Sequence, residues 1–166
     1  MKEIKLNHGY IAFVDDEDFE YLNKFNWSIA KRNGVIYVQN NQKINNKWQP
    51  VLMHKIILNP PIGFRVDHID MNGLNNQKIN LRLCTSSQNS FNSLKTINKL
   101  GFKNIKIRKR KYKNEELGEW IRFYARIKIN GKEVTSKCCE DINEAIIERN
   151  ELIKKHCKEF GRLIKI

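Results

Sequence analysis

The Asn-Gly dipeptides at residues 33–34 and 130–131 place the strongest constraint on the fold. Asn33-Gly34 joins WSIAKR to VIYVQN, and Asn130-Gly131 joins EWIRFYARIKI to GKEVTSKCC. The flanking segments are short and rich in β-branched and aromatic residues, and Asn-Gly is a preferred two-residue connection between antiparallel strands. The sequence therefore predicts a hairpin in the first part of the chain and another in the last part.

The first segment, residues 1–58, reads as a small sheet with helical cover. IAFVDD has the composition of a strand, DEDFEYLNKF that of a short helix, and the first Asn-Gly hairpin follows. QPVLMHKIILNPP then carries apolar residues up to Pro60-Pro61, which enforce an extended turn and a break. In VLMHKII, His54 is interpreted as a packing or backbone-contact residue rather than a catalytic one.

The middle segment predicts a strand, a loop, a second strand and a helix. VDHI and NLRLC are the strands, and the connecting DMNGLNNQKI is rich in turn formers. Thr85, with Gln88 three residues later, has the form of a capping box, so a helix is expected to begin there with Asn89 in its first turn. That helix can bring Asn89 back toward Asp67 and His68, which stand side by side in the first strand.

The last segment predicts a three-stranded sheet covered by one helix. In its second strand, alternation puts Ala125, Ile127 and Ile129 on a core face. The helix is expected to begin with Asp141 and Glu144 as a capping pair and to stop at Gly161. Its apolar residues recur at helical spacing: Ile142, Ala145, Ile146, Ile153, Cys157 and Phe160.

Positive charge is concentrated in this last segment. Residues 97–166 carry 19 Lys+Arg and 10 Asp+Glu, which accounts for +9 of the net charge of +13. A basic domain of this kind usually faces a polyanion, and nucleic acid is the common one, although ribosomal and membrane-surface proteins share the property.

The sequence shows no run of apolar residues long enough to span a membrane and no export leader. None of the four cysteines forms a CxxC pair, and two of them are adjacent in sequence. We therefore expect reduced thiols, no structural zinc, no membrane association and a cytoplasmic location.

VDHID followed by NLRLCTSSQN resembles the ββα-metal core of HNH endonucleases, and the flanking VDDEDFEYLNKFNW and MHKIILNPPIGFRVDHID resemble phage HNH proteins related to homing endonucleases. The resemblance implies that Asp67 and Asn89 bind Mg²⁺ or Mn²⁺ and that His68 is the general base. It also implies that Asn80 braces the loop and orients His68. Arg82 is a candidate phosphate contact.

Residues 98–164 resemble the plant Apetala-type (ethylene-response-factor) DNA-binding domain, through GFKNI, YARIKINGK and DINEAIIERNELIKKH. Cys139 stands where that family has an aromatic core residue, and KYKNEELGEW lengthens the first hairpin. A three-stranded sheet can lie in the major groove with alternate side chains reaching the DNA. The candidate DNA contacts are Lys106, Arg108, Arg110, Tyr124, Arg126, Lys128 and Lys137.

The predicted fold class is α+β, with an N-terminal sheet over residues 1–58, a ββα-metal nuclease core over residues 59–96 and an Apetala-type domain over residues 97–166. The predicted function is metal-dependent cleavage of double-stranded DNA by a homing or phage mobile-element endonuclease, acting as a monomer or homodimer. The resemblance to phage proteins implies a bacterial or phage-infected host cell. The alternatives are a restriction endonuclease with the same chemistry, a DNA-binding regulator with an inactive nuclease remnant, and a structural nucleic-acid-binding protein.

Overall fold

The computed structural model describes residues 1–32, 34–93, 99–111, 118–129 and 131–165. Over these residues the chain is a mixed α+β protein with small antiparallel sheets and four α-helices. Contacts within the chain divide it into two compact units, Met1–Asn89 and Ser90–Ile166. Asn33, Asn130, most of the lengthened hairpin and the expected boundary between residues 96 and 97 lie outside the described residues.

The first unit contains three separate antiparallel sheets. β1 pairs with β2, β3, β4 and β5 form a second sheet in that order, and β6 pairs with β7. The elements are β1 (Lys2–Lys5), β2 (Ile11–Val14), α1 (Asp16–Leu22), β3 (Ser28–Arg32), β4 (Val35–Ile44), β5 (Lys47–Leu52), α2 (Met53–Leu58), β6 (Arg65–His68), β7 (Leu81–Cys84) and α3 (Ser86–Asn92). The boundary with the second unit falls within α3.

Both predicted hairpins are confirmed by strand register. Arg32 pairs with Val35 across the first turn, and Ile129 pairs with Lys132 across the second. β1, β5 and α2 were not predicted as separate elements. β4 turns into β5 through Asn45 and Asn46, which both have the positive φ angles of a tight hairpin turn, 50° and 61°.

The core of the first unit lies between the N-terminal sheets and their helices. Its buried side chains are Ile4, Ala12, Val14, Leu22, Trp27, Val38 and Met53. The Trp27 indole N–H donates to the Leu22 carbonyl at 2.8 Å, so this large aromatic ring is buried without an unsatisfied donor. The small sheet with helical cover is therefore the observed arrangement.

The loop between β6 and β7 is fixed onto the N-terminal strands. The Phe13 N–H donates to the Leu74 carbonyl at 2.9 Å, and the Asn76 N–H donates to the Phe13 carbonyl at 2.8 Å. Gly73 is pressed against β4, since a Cβ atom there would lie 2.3 Å from the Ile36 carbonyl oxygen. This loop is thus a packed part of the unit, and the side chains it carries have fixed positions.

α3 begins with the predicted capping box. The Thr85 N–H donates to the Gln88 side-chain oxygen at 2.8 Å, and the Gln88 N–H donates to Thr85 Oγ1 at 3.2 Å. Two amides that have no partner within the helix are satisfied reciprocally, and this fixes the start of α3 directly after β7.

The second unit is a three-stranded sheet with one long helix. The sheet has the order β10 (Lys132–Thr135), β9 (Glu119–Ile129) and β8 (Ile105–Lys111), and α4 spans Ile142–Cys157. The predicted alternation in β9 is confirmed, since Ala125 and Ile127 are buried whereas Arg126 and Lys128 are exposed. The other buried apolar side chains are Ile105, Cys139, Ala145, Ile146, Ile153 and Cys157, together with Phe91 of α3.

α4 starts as predicted but ends for a different reason. The Asp141 side chain accepts hydrogen bonds from the Asn143 and Glu144 amides. The helix ends at Cys157 and is followed by a 3-10 turn over Lys158–Phe160, before Gly161 is reached. Gly161 has a φ of −92°, so a left-handed backbone conformation does not explain why glycine stands at this position. A Cβ atom there would lie 2.1 Å from Ile153 Cγ2.

Candidate nuclease site

The paired residues Asp67 and His68 are both buried at the end of β6, with 6% and 4% of their surfaces exposed. Neighbours in a strand point to opposite faces, so each side chain meets a different set of partners. A carboxylate and an imidazole excluded from water in this way need specific polar neighbours, and those neighbours define the site.

Asp67 is held by Arg82 from the partner strand. The two residues are directly opposite each other in the β6–β7 register. Arg82 Nε and Nη2 both donate to Asp67 Oδ2, at 2.9 and 2.7 Å, and both side chains are largely buried. This charge-assisted pair offsets the cost of burying the carboxylate and sets its direction. Arg82 thus joins the site through Asp67, and its contact with phosphate stays a prediction.

His68 lies within a cluster of rings. Its ring centroid is 4.9 Å from that of His54, with the two planes at 81°, and 5.8 Å from that of Tyr37. Burial lowers the pKa of His68, although Asn76, Asp70 and Asp67 act in the opposite direction. The imidazole is therefore neutral at physiological pH, which is the form that can accept a proton.

Asn76 determines which nitrogen of His68 can act as that acceptor. Asn76 is fully buried, and its Nδ2 donates to the carbonyls of Gly73 at 3.3 Å and Leu74 at 3.1 Å. Its amide oxygen must then be the atom that faces His68 Nε2, at 3.4 Å. Because an oxygen can only accept, a hydrogen bond at this contact requires the ring proton on Nε2, which leaves the lone pair on Nδ1.

Asn80 braces the loop that carries these groups. Its side-chain oxygen accepts from the Asp70 N–H at 3.0 Å, and its Nδ2 donates to Asp70 Oδ1 at 2.9 Å and to the Asn75 carbonyl at 2.8 Å. The Asn80 carbonyl also accepts from the Ile69 N–H at 2.9 Å. The side chain bonded to His68 is therefore Asn76, and Asn80 acts on the loop around it.

His54, at the start of α2, is a second buried imidazole beside His68. It is 4% exposed, and its Nδ1 has no hydrogen-bond partner among the described residues. The pKa of His54 is lowered to about 3. Burial is the largest cause, and the proximity of His68 is the second largest. The Tyr37 ring lies 5.7 Å from that of His54, and burial together with the Asp67 charge raises the pKa of the Tyr37 hydroxyl. His54 and Tyr37 are both uncharged walls of the site.

Asn89 lies on α3 of the first unit, and its place beside Asp67 and His68 stays a prediction. Its N–H donates to the Thr85 carbonyl at 3.0 Å, and its half-buried side chain makes no hydrogen bond within the described parts of the chain. The amide is therefore available to a ligand. Within the described ranges, no group of three or more His, Cys, Asp or Glu side chains could hold a metal ion.

A cationic sheet face is the second candidate site. Lys106 is opposite Tyr124, Arg108 is opposite Arg122, and Arg110 is opposite Trp120, so these side chains share one face of the sheet. The Arg108 guanidinium lies 5.2 Å from the centre of the Tyr124 ring. Strand alternation puts Arg126 and Lys128 on the same face. Arg122 and Trp120 were missed, although the same alternation in the sequence includes them.

Some of these cations have acidic partners within the unit. Arg126 pairs with Glu133, Arg122 pairs with Glu140, and Lys137 pairs with Glu148 at 3.2 Å. Lys137 lies beyond the end of β10. Four cations of the sheet face have no ion-pair partner in the part of the chain that the structure describes: Lys106, Arg108, Arg110 and Lys128.

Among the described residues, no helix has the length and apolar character needed to cross a membrane. All four cysteines are free.

The chain is similar to an uncharacterized HNH endonuclease of Acanthamoeba polyphaga mimivirus, with 35% identity over 98 residues. The aligned region covers 58% of this chain and 51% of the viral protein, so the chain spans about half the length of that relative. No family model matches the chain, and no solved structure matches it.

Proposed function

We propose that this protein is a metal-dependent DNA endonuclease of the HNH type, from the homing or phage mobile-element class. The observation that carries the proposal is the buried, neutral His68, bonded through Nε2 to Asn76 and adjacent in sequence to the buried carboxylate of Asp67. Similarity to a viral protein named as an HNH endonuclease supports the nuclease assignment.

His68 is the general base in this proposal. Its Nδ1 takes a proton from a water molecule as that water attacks the scissile phosphorus, and Asn76 Oδ1 stabilises the imidazolium that forms by accepting from Nε2–H. The surrounding rings of His54 and Tyr37 keep bulk water from the imidazole. Asn80 holds the loop so that this alignment is present before substrate binds.

Asp67 and Asn89 would hold Mg²⁺ or Mn²⁺, because a carboxylate and an amide supply the hard oxygen donors that these ions prefer. When bound, the cation neutralises charge developing on the phosphate oxygens. Arg82 already donates twice to Asp67 Oδ2, so the guanidinium and a cation would have to share this carboxylate. No structural zinc is part of the proposal.

The cationic face of β8 and β9 is the proposed contact for double-stranded DNA. Alternate side chains can reach phosphates and base edges when a sheet lies in the major groove. The proposal depends mainly on four cations that pair with no acidic side chain within the described residues: Lys106, Arg108, Arg110 and Lys128. Arg126, Tyr124 and Lys137 are secondary contacts.

The test is cleavage of supercoiled plasmid DNA with Mg²⁺ or Mn²⁺ by the full chain. His68→Ala is expected to abolish cleavage and to retain DNA binding, measured by a gel shift in EDTA. A matched control, Ile79→Ala, truncates an exposed apolar residue of the same loop and is expected to cleave normally. Cleavage by His68→Ala at the wild-type rate would contradict the assignment of the base.

A DNA-binding regulator with an inactive nuclease remnant is the second candidate. The Arg82–Asp67 pair favours it, because a carboxylate neutralised by arginine is a weaker metal ligand. This candidate predicts DNA binding by the wild-type protein and no cleavage with either cation. A restriction endonuclease would share the chemistry and differ in cutting both strands at one short sequence.

A further inference from the structure

A long stretch of the first unit contains no acidic residue. From Tyr21 to Val66 the sequence has no Asp or Glu but carries seven cations: Lys24, Lys31, Arg32, Lys43, Lys47, Lys55 and Arg65. The net charge of residues 1–58 does not reveal this cationic stretch, because the acidic residues of that segment all lie within its first 20 residues. The sheet of β3, β4 and β5 falls entirely within the acid-free stretch.

The β4–β5 hairpin extends beyond the core of the unit as a two-stranded ribbon. Residues 41–50 are exposed except for the half-buried Gln42, and Trp48 at the tip is 72% exposed. Lys43 is directly opposite Trp48, and Ile44 is directly opposite Lys47. Neither lysine has an ion-pair partner among the residues that the structure describes. An exposed tryptophan between unpaired lysines has no packing role within this unit.

The ribbon shares a face with the candidate nuclease site. Strand alternation and register place Tyr37, Lys43 and Trp48 on the same face of the sheet. Tyr37 is in ring contact with His54 and His68. The face that contacts His68 therefore continues along β4 to Lys43 and across to Trp48 on β5.

The length of β4 sets a distance along this face. Tyr37 and Lys43 are six residues apart in the strand. At about 3.4 Å per residue the separation is roughly 20 Å. B-DNA rises about 3.4 Å per base pair, so this separation corresponds to roughly six base pairs when β4 lies along the duplex axis.

We propose that the β4–β5 ribbon, residues 41–50, is a second DNA-binding element that enters a groove of the duplex about six base pairs from the phosphodiester cut at His68. Lys43 and Lys47 contact phosphates on either side of the ribbon. Trp48 makes an apolar contact within the groove. The DNA contact is independent of catalysis, whereas its distance from the cut rests on the proposed nuclease function.

Binding of the full chain to a fluorescein-labelled 40-base-pair duplex, measured by anisotropy in EDTA, tests the contact without cleavage. Trp48→Ala is expected to weaken binding about tenfold. Lys43→Ala is expected to lower the slope of log affinity against log salt by about 0.9. Ile62→Ala is the control, since Ile62 is fully exposed but lies outside the ribbon, and it should bind as the wild type does.

Hydroxyl-radical footprinting of the wild type and Trp48→Ala then locates the contact relative to the mapped cut. Loss of protection about six base pairs from the cut, with protection elsewhere kept, supports the proposal. Unchanged affinity and an unchanged footprint in Trp48→Ala would overturn it, even if the wild type cleaves DNA. A tenfold loss of binding in Trp48→Ala, together with a wild type that cuts no DNA, would support the DNA contact of the ribbon and refute the proposed nuclease function.

Discussion

Replacing the buried His54 is expected to make the protein less sensitive to acid. Burial lowers the pKa of His54 to about 3 in the folded protein, whereas an unfolded histidine titrates near 6.5. Between these values the unfolded chain binds a proton that the folded chain does not, so His54 lowers stability as the pH falls below about 6.5. The slope is about 1.4 kcal/mol per pH unit, or about 2 kcal/mol between pH ~6 and pH ~4.5.

The assay is urea unfolding at several pH values within that window, followed by fluorescence of the buried Trp27 with Trp48 and Trp120 changed to Phe in all variants. His54→Asn should remove about 1.4 kcal/mol per pH unit from the dependence of unfolding free energy on pH. His8→Asn, which removes an exposed histidine of the same unit, should keep the wild-type slope. An identical slope in His54→Asn and wild type would refute the claim that a neutral His54 is buried beside His68.

Three further outcomes follow from the structure. Asn76→Ala removes the partner of His68 Nε2 and should lower the single-turnover cleavage rate by about 10- to 100-fold while DNA binding is unchanged; a wild-type rate would show that this bond does not orient the base. Gly73→Ala brings a Cβ against the Ile36 carbonyl and should lower the unfolding free energy by about 1–3 kcal/mol in a urea titration, and an unchanged midpoint would contradict the close packing. Simultaneous alanine substitution of three β8 residues, Lys106, Arg108 and Arg110, should reduce the slope of log affinity against log salt for DNA binding by about 2.7. An unchanged slope would exclude this face as a phosphate contact.

Local rules predicted the elements whose cause lies within a few residues of sequence. The Thr85–Gln88 capping box and the two hairpin turns depend on neighbouring residues alone, and the alternation in β9 follows from strand geometry. The boundary between β5 and α2 was missed because PVLMHKIIL is apolar on both sides of His54 and Lys55, and strand and helix cannot be told apart by periodicity in such short apolar runs.

The parts of the site that were missed depend on long-range pairing. Asn76 carries the bond to His68, but in a sequence this rich in asparagine nothing local distinguishes it from its neighbours. The Arg82–Asp67 pair depends on the register of β6 and β7, which the sequence does not give. Arg149 is 2% exposed on α4, and the helical pattern of apolar residues in the sequence did not include it. Its Nη1 donates to the Arg162 carbonyl and to Asn150 Oδ1.

In the proposed function, one cation and one neutral imidazole meet at a phosphodiester in the first unit. Anomalous scattering from Mn²⁺ in crystals of the His68→Ala variant with bound duplex DNA would locate that cation, because the uncut substrate would hold the ion in place. The expected result is a single Mn²⁺ coordinated by Asp67 and Asn89 and by an oxygen of a DNA phosphate. Bound duplex with Mn²⁺ held elsewhere, or with Asp67 still paired only to Arg82, would contradict it.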